Sequence, residues 1–579
     1  ELKSRYEKLH LHQTPIHKIF SEAGLGKAYF KEMGIKSWME SQSDFPDELI
    51  GILMSSYYGG RSEIHHRREI VQILYCDFLS MYPTVCTLMG LWRYVTAQGI
   101  DWSESTDEIQ SLLDNIHYND LKNRDAWAKL AVLVQVQPDD DIFPVRAKYN
   151  DSSSYTIALN RLTSQEPLWF TLADCIASKI LTGRTPKIIQ ALSFTPKAAQ
   201  ENLKPINIAG NSEYRVDPYR DDFFRRLIEL RSQAKQQLDI AKFSGDGDRV
   251  TQLHTEQLAL KITANSTSYG IFVELNVNEH DRLQEIECFG GNGESFPTLI
   301  RNIESRGNYF HPLIATLITG AARLKLALVE KLASEAGIDW VFCDTDSMAL
   351  SRPSGMPEAQ FIKQAKWVQD WFTSLNPYEE KGPLFKIEDV NFKLKNGKRT
   401  SELEALYCLT VSSKRYALFN LDASNHPIIR KASAHGLGHL RPPYDEKDAP
   451  IFIPNPCISL NDIGVERWQY DLWYQILCAS LNGNPDQVDL TYHSALNLPA
   501  VSRYSATSPH LLRWFKIYNE GKPYSEQVKP FNFLLMFQAS KINHATLLDD
   551  HEENIKLKHL PKSIAPFCKD SAIASDKCF

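Results

Sequence analysis

The chain has 579 residues, 43% hydrophobic and 23% charged, a balance that excludes disordered and fibrous classes. Its length exceeds what one core can organise and points to roughly three or four domains or subdomains. A net charge of −7 excludes a uniformly basic nucleic-acid coat, so any surface for nucleic acid must be local.

In chain order, residues 14–37 predict one or two helices, with apolar residues of SEAGLGKAYFKEMGI at helical spacing and Gly34 as a stop. YYGGR at 57–61 is a glycine-pair turn. IVQILYCDFLSMYP, 70–83, reads as an apolar strand ending in Asp77, then a turn in which Ser80 and Pro83 open a helix. Residues 100–215 are heterogeneous, with acidic PDDDIFP and polar NDSSSY, and read as an insertion or separate subdomain. The spacing predicts a helix over 217–242, with Asp217 as cap, Pro218 in the first position and Phe223, Phe224, Leu227, Ala234, Leu238 and Ala241 on one face. SGDGD, 244–248, ends it, and a second helix returns from about 249 to Tyr269. A third long helix, 311–336, stops at Gly337 and feeds the strand-forming run IDWVFCDTDSMAL. Beyond it come a helix near 357–375, strands near 403–420 and a largely helical segment from about 464.

The pair Asp344 and Asp346 sits one residue apart between two strand-forming runs, where the carboxylates repel unless a cation lies beside them. Taken alone, DTD reads more simply as a solvated hairpin turn. Asp77, ending a second apolar strand, shifts that balance towards a two-metal site, because hard cations such as Mg²⁺ take a few carboxylates plus substrate phosphates. On the helical hairpin, Arg231 and Lys235, and Lys261 and Asn265, are each four apart and share a face. Arg231 and Lys261 lie equally far from the turn at Asp246, about 22 Å along the hairpin. They should sit side by side as a triphosphate pocket, unless Glu229, Asp239 or Glu256 pairs with them.

Four basic clusters, at 61–68, 219–235, 392–399 and 412–416, each read singly as a solvated face. Ten cysteines without a CxxC pair argue against a zinc ribbon or a disulfide framework, and Cys76 and Cys343 read as small buried hydrophobes. HGLGH, 435–439, sets His435 and His439 four apart, but its glycines disfavour the helix a zinc site would need and it reads as a loop, while IGVERWQYDLWY, 463–474, reads as core. No apolar run of bilayer length and no signal peptide is found, so a cytoplasmic protein without a membrane partner is expected.

Together the segments resemble the family B DNA polymerases, in particular their bacterial, archaeal and mobile-element branch. DFLSMYPT, 77–84, is similar to motif A; KITANSTSYG, 261–270, to motif B; CDTDS, 343–347, to motif C; YYGG, 57–60, to the YxGG motif; and SSKRY, 412–416, to the KKRY motif. All five stand in the family's order. Three departures stand out: Tyr269 comes four residues after Asn265 where three is usual, Phe342 and Cys343 replace Tyr and Gly, and Ser413 replaces the first lysine.

The resemblance implies an α+β right-hand fold: a palm of antiparallel sheet plus helices, helical-hairpin fingers and a mainly helical thumb. Its divisions would be 1–69 (linker and start of palm), 70–100 (palm, motif A), 101–215 (insertion), 216–270 (fingers), 271–400 (palm, motif C) and 401–579 (palm end and thumb). It implies a polymerase adding deoxynucleotides to a primer 3′ end, with two Mg²⁺ ions, or Mn²⁺, held at Asp77, Phe78, Asp344 and Asp346. The triphosphate would meet Ser80, Met81, Arg231, Lys235, Lys261 and Asn265. Lys261 would protonate the pyrophosphate, and Tyr82 would exclude a 2′-hydroxyl. Primer-template DNA would touch Tyr57, Gly59, Gly60, Arg61, Tyr269, Gly270, Thr345, Lys414, Arg415 and Tyr416. The opening segment resembles the stretch that succeeds a proofreading domain in the family, so that domain is expected to be missing from this chain, both of whose ends read as cut. The long 101–215 stretch leaves room for a terminal protein and protein priming, and a clamp is a further candidate partner. Rival readings are a catalytically silent nucleic-acid-binding scaffold and a two-metal nuclease.

Overall fold

A computed structural model describes residues 22–497, apart from 149–154, 290–293, 396–397, 436 and 438–441, together with 542–547 and a few isolated positions. The chain opens with α1 (Glu22–Glu32), which stops at Gly34 with φ +80°, and α2 (Asp47–Ser55), whose first-turn acids suit the positive end of a helix. Most of the helix expected before residue 22 lies outside the described residues. A three-residue strand, β1 (Ser62–Ile64), precedes β2 (Ile70–Phe78), and Ser80 leads into α3 (Met81–Met89).

The stretch 100–215 contains β3 (Ile100–Glu104), α4 (Thr106–Asn115), β4 (Val132–Gln137), β5 (Asp139–Lys148), β6 (Tyr155–Ser164), β7 (Leu168–Thr171), α5 (Leu172–Thr182) and β8 (Lys187–Pro196). They build a four-stranded sheet in the order β3-β8-β4-β7 and a β5-β6 pair that the strand Ile542–Leu547 extends.

The helical hairpin comes next as α6 (Phe223–Ser244) and α7 (Gly247–Thr267), with Gly245 at φ +75° closing the first helix. Its start corrects the expectation. Asp222 caps α6 by accepting the Arg225 N–H, whereas Asp217 spends its carboxylate on the Tyr219 N–H in a local turn that also contains Pro218. A long hairpin, β9 (Leu275–Phe289) and β10 (Ser295–Arg306), has no counterpart among the elements expected from the sequence. Beyond it come α8 (Pro312–Glu335), β11 (Asp339–Asp344), β12 (Ser347–Ser351), α9 (Glu358–Trp371), β13 (Phe385–Ile387), β14 (Leu406–Ser412), β15 (Arg415–Leu421), β16 (Pro427–Ala434) and α10 (Arg467–Leu481). The helical run expected further on lies largely outside the described residues, as does His439 of HGLGH.

The central sheet is antiparallel, in the order β1-β11-β12-β2-β14-β15-β16, with β13 pairing the Asp77 end of β2. Strand alternation divides its side chains. Leu74, Cys76, Phe78, Cys343, Met348 and Leu350 join the main core around α8, while Ile73, Tyr75, Phe342, Ala349, Cys408, Tyr416 and Leu418 form a smaller cluster. On the far strands, Tyr470, Trp473 and Leu477 of α10 pack with Ala417, Phe419 and Ile429, so the aromatic-rich 463–474 stretch is core, as expected.

Among the described residues α8 alone is long and apolar enough to cross a membrane, which corrects the expectation that no such run exists. Its most apolar stretch is wholly buried inside the protein, so its apolarity serves the core. Two cations are nevertheless fully buried on it, Arg323 and Lys325. Arg323 makes a bidentate pair with Asp174 of α5, 2.8 Å on each prong, and donates to the Gly59 carbonyl at 2.5 Å. Asp174 also closes the capping box of α5 with Thr171, against which Gly320 of α8 packs too closely to accept a Cβ. Removing one member of a dry pair strands the other, so Asp174→Ala is expected to lower the urea-unfolding free energy by about 3–5 kcal/mol. The double change Asp174→Leu with Arg323→Met should recover most of that loss.

Candidate active site

Ser347 pairs across the sheet with Asp344 on one side and with Asp77 on the other, so Asp77, Ser347 and Asp344 form one row over three strands. Only Thr345 and Asp346 separate β11 from β12. Asp346 donates its N–H to the Asp344 carbonyl (2.7 Å), and its own carbonyl accepts the Phe78 N–H (2.9 Å), which draws the turn onto the end of β2. Thr345 lies at φ +64°, an unfavourable place for a β-branched residue. It is held there by its N–H on the Arg61 carbonyl (2.7 Å) and its hydroxyl on Asp344 (3.1 Å). These contacts bring together the three acids expected from the sequence, with Phe78 contributing main chain while its ring packs on Phe372 and Phe385.

The acids are electrostatically unsatisfied. Burial, then the neighbouring Asp346 and Glu388, pushes the Asp77 carboxyl far above its usual range. Asp346 is raised likewise, by burial and by Asp344. Asp77 Oδ1 is buried with no hydrogen-bond partner among the described residues. Asp344 differs, because Lys414 Nζ lies 3.4 Å from its Oδ1.

Three charged neighbours carry no signal in the sequence. Glu388 is held by its N–H on the Tyr75 carbonyl (3.0 Å), and burial raises its carboxyl. Lys431 sits 4.3 Å over the Tyr75 ring and donates to its hydroxyl at 3.1 Å, partly offsetting the acids. Lys325 reaches from α8 on the opposite face, its Nζ fully buried, without a hydrogen-bond partner among the described residues and 4.2 Å from the Phe78 ring centre. Burial draws its pKa down to about 7 against the pull of Asp77 and Asp346. Neither cation removes the frustration of the acids, and an oxygen-only donor set with an orphaned buried carboxylate atom suits a hard divalent ion.

Around the acids, Tyr82 stacks on Tyr269 (4.8 Å, 22°), and Tyr269 stacks in turn on Tyr57 (6.3 Å, 19°), whose hydroxyl it meets. Tyr269 therefore joins the site despite its extra-residue spacing. A Cβ on Gly60 would lie 3.0 Å from both the Tyr82 hydroxyl and the Thr345 methyl, so the turn after Tyr57 needs glycine to close on them. Gly59, at φ +89°, completes that turn. Ser80 adopts φ +46° at the start of α3 and Met81 is buried.

On the hairpin, Leu238, Ala241 and Leu253 share a small core that pairs the two helices. Lys235, Lys261 and Asn265 are exposed, and burial lowers the Arg231 guanidinium. The acids close enough along the chain to neutralise them are engaged elsewhere: Glu229 with Arg225 (2.7 Å), Asp239 with Lys242 (3.7 Å) and Glu256 with the Tyr214 hydroxyl (2.9 Å). No ion pair to Arg231, Lys235 or Lys261 is found among the described residues.

Several residues expected at a nucleic-acid surface lie elsewhere. Arg61, just before β1, is fully buried, bound to Glu63 of β1 and, at 2.7 Å, to Glu330 of α8; it fastens the sheet and is not open to a nucleic acid. Tyr416 is buried and stacked on Phe342 (4.2 Å), where strand alternation points it into the smaller cluster. Tyr57 is also buried. Lys414 faces Asp344, while Arg415 is exposed and donates to the His435 carbonyl at 2.8 Å. Gly270 has open space around it.

No family model matches the chain, and no curated protein matches it. Among solved structures, Phi29 DNA polymerase complexed with primer-template DNA and incoming nucleotide is similar at 12% identity and a TM-score of 0.33, over 70% of this chain and 56% of that one. Phi29 DNA polymerase with single-stranded DNA gives 12% identity and 0.34, over 71% and 60%. The family B DNA polymerase of the archaeon Pyrobaculum calidifontis gives 14% and 0.24, over 64% and 28%. The matched region thus spans less than two thirds of each of these chains. Likenesses this distant do not define a shared fold, and the chemistry of the site stands on its own geometry.

A carboxyl raised in the folded state contributes stability at pH below its unfolded value and loses it as pH climbs. For Asp77 and Asp346 the metal-free protein should therefore lose stability from about pH 4 upwards. Differential scanning calorimetry with and without Mg²⁺ is expected to show a melting-point gain that grows between pH 5 and pH 8, and Asp77→Asn should flatten that dependence.

Proposed function

We propose that the chain is a DNA-directed DNA polymerase of the family B type, an α+β right-hand enzyme that adds deoxynucleotides to a primer 3′ end. The single observation that carries this reading is the convergence of Asp77, Asp344 and Asp346 on one sheet end with their charge uncompensated. The cations of the helical hairpin, without an ion pair among the described residues, supply the complementary half. In this reading the central sheet is the palm, α6 and α7 are the fingers, and the segment from about 401 completes the palm and leads into the thumb.

Asp77 and Asp346, with the Phe78 carbonyl and with Asp344 beside them, would hold two Mg²⁺ ions or their Mn²⁺ substitutes. When bound, such ions lower the pKa of an attacking hydroxyl and neutralise a leaving pyrophosphate. The chain's own residues do the rest. The N–H groups at the start of α3, at Ser80 and Met81, would donate to phosphate oxygens. Arg231, Lys235, Lys261 and Asn265 would grip the triphosphate tail, with Lys261 placed to give a proton to the departing pyrophosphate. Tyr82, held flat by Tyr269, would lie beneath the incoming sugar and leave no room for a 2′-hydroxyl. The Gly59–Gly60 turn and Tyr269, with the buried Tyr57 packed behind Tyr269, would position the template, and Arg415 would reach the primer duplex.

Primer extension tests this. The wild-type chain should extend a primed template with deoxynucleotides in Mg²⁺, and Asp346→Ala should lower the rate at least a thousand-fold. Tyr82→Ala should raise ribonucleotide use ten-fold or more, while Tyr82→Phe keeps the discrimination. Absence of extension by the wild type would overturn the reading.

A further inference from the structure

Far from the three acids, at the opposite end of β11, two histidines and an aspartate converge. His65 and His66 come directly after β1, and Asp339 opens β11. Asp339 Oδ2 lies 3.1 Å from His66 Nε2 and 3.6 Å from His65 Nε2, and the three atoms all fall within 4.8 Å of one another. Two imidazole nitrogens and a carboxylate oxygen on a tetrahedral ion with 2.0–2.1 Å bonds would stand roughly 3.4 Å apart.

The backbone beneath this trio is fixed independently. The N–H groups of both histidines donate to the Val341 carbonyl, at 2.7 and 3.1 Å, and the His66 carbonyl accepts the Thr410 hydroxyl. Asp339 Oδ1 accepts the Trp340 N–H at 2.8 Å, which turns Oδ2 towards the rings. His65 packs on Trp340 at 4.9 Å. Glu69 Oε2 lies 3.6 Å from His66 Nδ1, on the ring nitrogen turned away from the trio. A carboxylate behind a liganding imidazole is the usual second partner that fixes its orientation. His65 Nδ1 is buried with no hydrogen-bond partner among the described residues. The side chains are 28%, 26% and 45% exposed, which leaves one side open for a water as fourth ligand.

We propose that His65, His66 and Asp339 bind one Zn²⁺ ion, which clamps β1 onto β11. Imidazole ligands favour such a borderline ion over Mg²⁺, so this site and the acid site would take different metals. The clamp matters because β1 is only three residues long, and the carbonyl of Arg61, just before it, accepts the Thr345 N–H that holds the DTD turn. A metal that binds only the folded form stabilises that strand pairing.

The test uses the tag-free full chain in excess Mg²⁺, with Co²⁺ as a spectroscopic stand-in and Zn²⁺ as competitor. The expected result is one Co²⁺ per chain with an intense four-coordinate visible band, displaced by Zn²⁺. His66→Ala and Asp339→Asn should weaken binding at least ten-fold and remove the rise in melting temperature that Zn²⁺ gives the wild type. The exposed outer residue gives a milder variant: Glu69→Gln should fold normally and still bind several-fold more weakly. A wild type without the band, or equal stoichiometry and affinity in all three variants, overturns the proposal.

Discussion

Two carboxylates held close together in a half-dry pocket repel each other, and the end of the central sheet is organised around keeping Asp77 and Asp346 in that position. Burial and neighbouring carboxylates, Asp346 and Glu388 for Asp77 and Asp344 and Glu388 for Asp346, favour their protonated forms, so the folded chain works against its own charge at neutral pH. What fixes them is mostly backbone: a two-residue turn, a Thr345 in an unfavourable conformation, and the Phe78 N–H on the Asp346 carbonyl. Strain and repulsion of this kind persist only where the surroundings over-determine them.

Those surroundings are three cations brought in from behind and beside. Arg61 joins β1 to α8 through Glu63 and Glu330, and its carbonyl holds Thr345. Arg323 ties α8 to α5 through Asp174 and reaches the Gly59 carbonyl, so the glycine turn next to Tyr82 is anchored to the deepest helix of the core. Lys325, its pKa drawn down to about 7 by burial, lies beneath the acids without a hydrogen bond among the described residues. The stretch 100–215 is thus coupled to the site through α5 and is more than a peripheral decoration.

Much of this is legible in the sequence where period and punctuation agree. Helical spacing and the SGDGD turn give the hairpin, and apolar periodicity with Gly337 gives α8 and the strand after it. Asp77, Asp344 and Asp346 are legible only as a group: DTD alone reads as a solvated turn, and it is the second apolar strand ending in an acid that shifts the balance. Asp217 reads as a cap and is not one, because Asp222, five residues on, competes for the same role and the turn between them satisfies Asp217 locally. Arg61 and Tyr416 read as surface residues because a one-residue change of strand parity decides between sheet faces, and a cluster of charges carries no parity signal. Lys325, Glu388 and Lys431 stand far from the acids along the chain, and only the packing of α8, β13 and β16 brings them near. The β9–β10 hairpin escapes notice because its polar, weakly alternating sequence resembles a loop.

The proposed function turns on relief of the repulsion between Asp77 and Asp346 by a divalent ion. Electron paramagnetic resonance of Mn²⁺ titrated into the metal-free chain measures this without relying on turnover. Bound Mn²⁺ is expected in the wild type, displaced by Mg²⁺, with loss of that population when Asp77 and Asp346 are both changed to Asn. Unchanged Mg²⁺-sensitive Mn²⁺ binding in the double variant would contradict it.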